Sequence, residues 1–216
     1  FVKFCITKYK DNLFYGKVIK NYGTFYDDNA LSIYTIDFYN LKYEFSKNVI
    51  KKAKKCESKY YREKRKERKI RKDLSKINTF TIDPNGARDL DDAISIQKID
   101  NVFKLFVHIA DVSYFVDKGS SIDKDSRKRS FSVYLPNQVI RMLPPVLSEG
   151  LCSLLPDSDK YAVTTEIDID EKGEVLKWDI YKSIIRSNYK YTYEEVYDIL
   201  ENIKVNDYLD VLKLLY

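Results

Sequence analysis

Two runs that alternate as β-strands, Thr79-Phe80-Thr81-Ile82 and Ala93-Ile94-Ser95-Ile96, enclose a ten-residue segment. That segment, 83–92, holds four aspartates: Asp83, Asp89, Asp91 and Asp92. A strand, an acidic loop and a second strand in so short a span constrain the chain more than any other feature. Crowded like charges raise the free energy of a loop unless a cation neutralises them. Carboxylate oxygens are hard ligands, so Mg²⁺ suits the cluster, with Mn²⁺ as its substitute. On spacing alone a solvated acidic turn stays open as an alternative. A calcium loop of the EF-hand kind fails on pattern: Gly86 comes too early, and Ile94 stands where the bidentate Glu belongs.

Further strands and helices follow. Residues 103–110 read as a strand and 121–132 as a helix capped by Ser120 or Ser121. Residues 164–169 and 176–183 read as a β pair joined by the turn Asp170-Glu171-Lys172-Gly173. Thr192 and Glu195 form a Thr-x-x-Glu box opening a helix over 193–201. Upstream, 14–19 and 31–36 are rich in aromatic and β-branched residues and read as strands around a turn near Asn21-Tyr22-Gly23. Residues 1–46 are too few to close a barrel alone and read as the tail of one.

Charge is divided unevenly. Residues 47–76 hold 15 Lys/Arg against 4 Asp/Glu, while the whole chain is only +5. This segment has no Gly or Pro and many good helix formers, so it reads as a basic helix, with Glu67 and Arg71 as an i,i+4 pair. It is either a solvated surface helix or a face for a polyanion, and the two are compatible.

Composition narrows the chemistry. Cys5, Cys56 and Cys152 are far apart with no Cys-x-x-Cys pair, which argues against a zinc site or a disulfide framework and for a reduced, cytoplasmic setting. The single histidine, His108, lies mid-strand in an apolar run and reads as a core residue. A Ser–His–Asp triad and a multi-histidine metal site are both disfavoured. Asp111, at the end of the same strand, reads as structural.

The motifs now carry a resemblance. Thr81-Ile82-Asp83 followed by Ala87-Arg88-Asp89-Leu90-Asp91-Asp92-Ala93 resembles the catalytic domain of the ribonuclease II/R (RNB) family. Val107-His108-Ile109-Ala110-Asp111-Val112-Ser113, Ser132-Val133-Tyr134-Leu135-Pro136, Met142-Leu143-Pro144 and Leu147-Ser148-Glu149-Gly150-Leu151-Cys152-Ser153-Leu154 follow in the family's order. So do Ile185-Arg186-Ser187 and Thr192-Tyr193-Glu194-Glu195-Val196. The wording is nearer the ribonuclease R branch.

The resemblance implies an α+β fold. It places the end of an OB-fold cold-shock barrel at 1–46, a basic helical connector at 47–76, and the N-terminal part of an RNB catalytic domain at 77–216. It implies processive 3′–5′ hydrolysis of single-stranded RNA to nucleoside 5′-monophosphates by two Mg²⁺ (or Mn²⁺) ions. Asp83, Asp89, Asp91 and Asp92 match the family's aspartates. All four are expected to hold the metal, the first three as direct ligands and Asp92 as metal ligand or orienter of the water; Asp91 and Asp92 are the expected catalytic pair, with Asp92 the more activity-critical. Tyr134 matches the aromatic that packs on the terminal base, and Arg127 and Arg129 are candidate phosphate contacts. The family domain runs on past Tyr216 to a transition-state arginine and an S1 domain. The chain is therefore expected to be a fragment, weak or inactive alone. The alternative is a non-catalytic RNA-binding remnant.

Overall fold

The computed structural model describes residues 1–201 and 208–215. An antiparallel hairpin, β1 (Val2–Lys10) and β2 (Leu13–Asn21), opens the chain. Helix α1 (Asp28–Phe38) follows, where a strand was expected at 31–36. The β-branched run was misleading because two nonlocal contacts and a cap override it. Asp27 caps the helix by accepting from the Asn29 N–H, while Ala30 and Ser32 are buried. Asn137, far downstream, accepts from the Ser32 hydroxyl and donates to Asn29.

Helix α2 (Lys47–Ile70) is the expected basic helix, but it stops six residues short of 76. Ser46 caps its start, and its inner face buries Val49, Ala53, Cys56 and Glu67. It ends because Arg71 turns inward. The Arg71 guanidinium donates to Glu67 and, at 2.7 Å, to Asp111, and all three side chains are buried. The expected i,i+4 pair is thus part of a buried triad. The next residues, β3 (Lys72–Asp73), join the edge of the main sheet.

That sheet has seven strands, in the order β11-β4-β5-β6-β9-β10-β3. They are β4 (Phe80–Asp83), β5 (Asp92–Ile99), β6 (Val102–Ala110), β9 (Lys160–Asp170), β10 (Val175–Ile185) and β11 (Tyr189–Thr192), besides β3. The inner pairs are antiparallel; β11 and β3 add in parallel at the two edges. Between β6 and β9 lie α3 (Val112–Phe115), α4 (Ser121–Arg129), the small hairpin β7 (Val133–Leu135) and β8 (Gln138–Ile140), and a π-helical turn, Leu147–Leu151.

One face of the sheet packs Ala93, Phe106, Ala110, Ala162 and Ile185 against α2 and the loops after β6. Phe80 pairs with Ile94, whose side chain points away from its neighbour Ala93, so Phe80 lies on the opposite face. There it joins Tyr191, Ile199 and Leu212, the last two from α5 (Tyr193–Leu200) and α6 (Leu209–Leu215). The expected Thr192–Glu195 capping box opens α5 with both of its bonds.

A line of buried hydroxyls crosses the sheet. Thr79, Ser95, His108, Thr164 and Ser183 are linked in turn at 2.8, 2.9, 2.8 and 2.6 Å. Thr79 donates to the Ile77 carbonyl at 3.0 Å. Ser183 reaches the Ala162 carbonyl only at 3.4 Å, the weakest link. A neutral imidazole satisfies this line when Nε2–H donates to Ser95 and Thr164 donates to Nδ1. His108 is the core residue expected.

Candidate active site

The acidic loop spans the gap between two adjacent strands. Asp83 is the last residue of β4 and Asp92 the first of β5. Pro84-Asn85-Gly86-Ala87 make a turn closed by the Ala87 N–H donating to the Pro84 carbonyl. Gly86 sits at φ +81°, where a side chain would be strained. Leu90, fully buried, pins the loop from within. Ser153 accepts from the Leu90 N–H and donates to the Arg88 carbonyl at 2.7 Å. The Leu154 N–H donates to the Leu90 carbonyl, the Ala110 N–H to that of Asp91, and Lys190 to that of Ala87. The backbone of the loop is thus braced from four directions.

The loop's carboxylates feel one another. Loss of water raises the Asp83 carboxyl above its ordinary range, and the charges of Asp92 and Asp89 raise it further. Asp91 reaches solvent, yet the protein packed behind it strips enough water to raise its carboxyl too, helped by Asp89, Asp92 and Asp83. Asp83 Oδ2 is buried with no hydrogen-bond partner. An orphaned carboxylate oxygen among like charges suits a hard divalent cation, so the donor chemistry fits Mg²⁺ or Mn²⁺. The geometry is looser than the chemistry. Among the described residues, no three acidic, His or Cys side chains converge on one point as a preformed metal cage.

Tyr134, on β7, stands over the loop. Its ring is 65% exposed, and its hydroxyl donates to Asp89 at 2.6 Å, which pushes the phenol up to about 12. An open groove of about 640 Å³ runs beside it, lined by Asp83 and Asp89 together with Tyr43, Arg88, Tyr134 and Arg141. Tyr43 and Arg141 were not anticipated; no local pattern marks them. Arg88, inside the acidic run, was visible as a lone cation among aspartates.

A family model, the RNB domain, matches residues 71–215. The chain belongs to the RNB family. Over 181 residues, 83% of its length, this RNB chain is 42% identical to the ribonuclease R of Aquifex aeolicus. It spans about a quarter of that relative's length. Two solved structures of Mycoplasma genitalium RNase R match 98% of the RNB chain and 38% and 34% of their own lengths. One is in complex with double-stranded RNA (TM-score 0.79, 28% identity), and the other with ribose-methylated single-stranded RNA (TM-score 0.78, 30% identity). The expected family and the α+β architecture both hold.

Two further expected contacts of the RNB chain lie away from the loop, on α4. Arg127 is exposed and pairs with Asp123 at 3.1 Å. Arg129, the other candidate phosphate contact, has a side chain that is only 3% exposed. Its guanidinium lies over the Phe45 ring, pairs with Asp125 at 2.8 Å, and donates to the carbonyls of Lys42, Glu44 and Arg141. It is a clamp fixing the 42–45 segment, with four of its five donors engaged by the protein. Asp111 is likewise structural. Burial works against its charge, but Ser113 and Arg71 outweigh burial and hold its carboxyl below the ordinary range.

Proposed function

We propose that this chain supplies the carboxylate wall of a 3′–5′ exoribonuclease site that hydrolyses single-stranded RNA processively to nucleoside 5′-monophosphates in the cytoplasm. The observation that carries the reading is the braced aspartate loop beside a groove roofed by an exposed tyrosine, inside the RNB-matched span. Asp83, Asp89 and Asp91 would hold two Mg²⁺ ions, with Mn²⁺ as a substitute. Bound metal would supply Lewis-acid activation of the attacking water and neutralise charge at the leaving 3′ oxygen.

The chain's own residues do the rest. Asp92, at the start of β5, orients the attacking water by accepting its hydrogen bond. Tyr134 offers a ring for the terminal base, a contact that every base can make. Donating to Asp89 fixes the phenol end of Tyr134, so base stacking and the carboxylate cluster share one rigid link. Arg88 lines the same groove and gives it a cationic group for phosphate, while Arg141 beside it is paired with Glu149.

The test is Asp92→Asn in a chain of full ribonuclease R length containing these residues. Cleavage of 5′-labelled oligoadenylate with Mg²⁺ should fall to background while RNA affinity is kept. Retained cleavage refutes the assignment. A second reading, a non-catalytic RNA-binding module, is favoured by the absence of a preformed metal cage among the described residues. It predicts that Mn²⁺, followed by its electron paramagnetic resonance, does not bind the chain in the presence of RNA.

A further inference from the structure

Helix α2 carries twelve Lys/Arg and three Glu. Some of its cations are engaged by the protein: Lys64 and Arg68 with Asp159, Lys52 with Asp117, and Lys59 on the Tyr114 ring and carbonyl. Seven others, Lys47, Lys51, Lys54, Lys55, Arg65, Lys66 and Lys69, are exposed and have no acidic partner among the described residues. At about 100° per residue these seven fall within roughly one third of the helix circumference. That third faces away from buried Val49, Ala53, Cys56 and Glu67. The stripe reaches both ends of a helix about 36 Å long as two clusters, at 47–55 and 65–69, separated by about 15 Å at ~1.5 Å per residue.

Such an arrangement works against the helix. Lys47 and Lys51, Lys51 and Lys55, and Arg65 and Lys69 are like-charge i,i+4 pairs, each destabilising by a few tenths of a kcal/mol. A linear polyanion laid along the stripe relieves all of them together. The stripe also leads toward the aspartate loop. A groove of about 580 Å³ beside α2 is lined by Phe45, Lys47, Lys51, Lys54 and Lys55, while Tyr43, two residues before Phe45, lines the aspartate groove. Arg129 holds the stretch between them in place through the carbonyls of Lys42 and Glu44.

We infer that the outer face of α2 is a second RNA-binding surface, a phosphate track that holds the body of a strand whose end lies in the aspartate groove. The inference rests on the RNA reading above, but not on cleavage. Recognition is of the backbone alone, since flexible lysines on a convex face carry no base readout. RNA fits better than an anionic membrane. The apolar face of α2 is packed into the core, and the two large side chains it leaves exposed, Tyr61 and Ile70, stand nine residues apart, too sparse for an apolar face that lies in a lipid surface.

The test uses the 216-residue protein in EDTA, where cleavage plays no part. Binding of fluorescent oligoadenylate is followed by anisotropy from 50 to 300 mM NaCl. Three variants with equal loss of charge are compared: K51Q/K54Q/K55Q, R65Q/K66Q/K69Q, and an off-helix control, K118Q/K172Q/K177Q. Circular dichroism melting confirms that each is folded. With about 0.7 counterion released per phosphate contact on a single strand, each stripe variant should flatten the slope of log K against log salt by about 2. Its affinity gap from the wild type should shrink as salt rises, and the control should track the wild type. Equal effects from control and stripe would overturn the proposal as a bulk-charge effect. So would stripe variants that lose binding to phosphatidylserine vesicles while keeping RNA affinity, which would assign the face to membranes. A wild type that binds no RNA at all would instead sink the RNA reading itself.

Discussion

Acidification from pH 7.5 to 5 should cost about 2 kcal/mol of folding stability through His108 alone. Burial between strands holds this imidazole neutral and lowers its pKa from 6.5 to about 4. Between those values the unfolded chain binds a proton that the folded chain does not, so stability falls as pH falls. The loss is negligible above 6.5, reaches about 2 kcal/mol at pH 5, and saturates near 3 kcal/mol below pH 4. The hydroxyl line is compatible: a neutral ring accepts from Thr164 at Nδ1, whereas a protonated ring turns Thr164 toward Ser183 and leaves Ser183 only the long 3.4 Å bond to the Ala162 carbonyl.

The window separates His108 from the carboxylates. It is the chain's single histidine. Asp159 and Glu166, held down at about 2, lose their contribution only below their ordinary carboxylate values. The raised carboxyls of Asp83 and Asp91 act with the opposite sign, since their protonation on acidification relieves the folded state. Urea titrations by far-ultraviolet circular dichroism at half-unit pH steps would read the effect. His108→Gln, which keeps a donor and an acceptor without the charge, should show no fall in stability on acidification across the window. A wild type whose stability does not change from pH 7.5 to 5 would refute the neutral-imidazole argument, as would a Gln variant that falls in parallel.

Arg71→Met should destabilise the fold by about 3–5 kcal/mol, because Glu67 and Asp111 would be left buried without their shared cation; urea midpoints at pH 7.5 check it. Tyr134→Ala should weaken RNA binding by about 1–3 kcal/mol through lost stacking. Tyr134→Phe, which keeps the ring and removes only the bond to Asp89, should retain most of the affinity; equal losses in the two variants would move the role from the ring to the hydroxyl.

The legible parts of this chain are those written locally. The Thr192–Glu195 box, the turn at Asp170–Gly173 and the strands on either side of 83–92 depend on neighbours within a few residues, and each appears where the pattern put it. Helix α1 was not legible because the aromatic and β-branched content of 31–36 favours a strand, while the cap at Asp27 and the contact to Asn137, a hundred residues on, favour the helix. Arg71 and Arg129 illustrate the same limit. A charged residue on a helix defaults to solvent until a distant carboxylate or carbonyl set claims it. In the candidate site the four aspartates were legible, but Tyr43, Arg141 and the bracing by Ser153 and Lys190 were not, for each arrives from another part of the chain.

That bracing also sets a timetable. Lys190 grips Ala87 across 103 residues, and β11, which carries it, pairs alongside β4 so that Thr192 lies next to Asp83. At ribosomal speeds of roughly 5–20 residues per second, Ala87 is made roughly 5–20 s before Lys190 exists. For that interval the nascent chain presents Asp83 at the end of a strand with one side unpaired. The aspartates take up their final arrangement only after residues 189–192 have been synthesised.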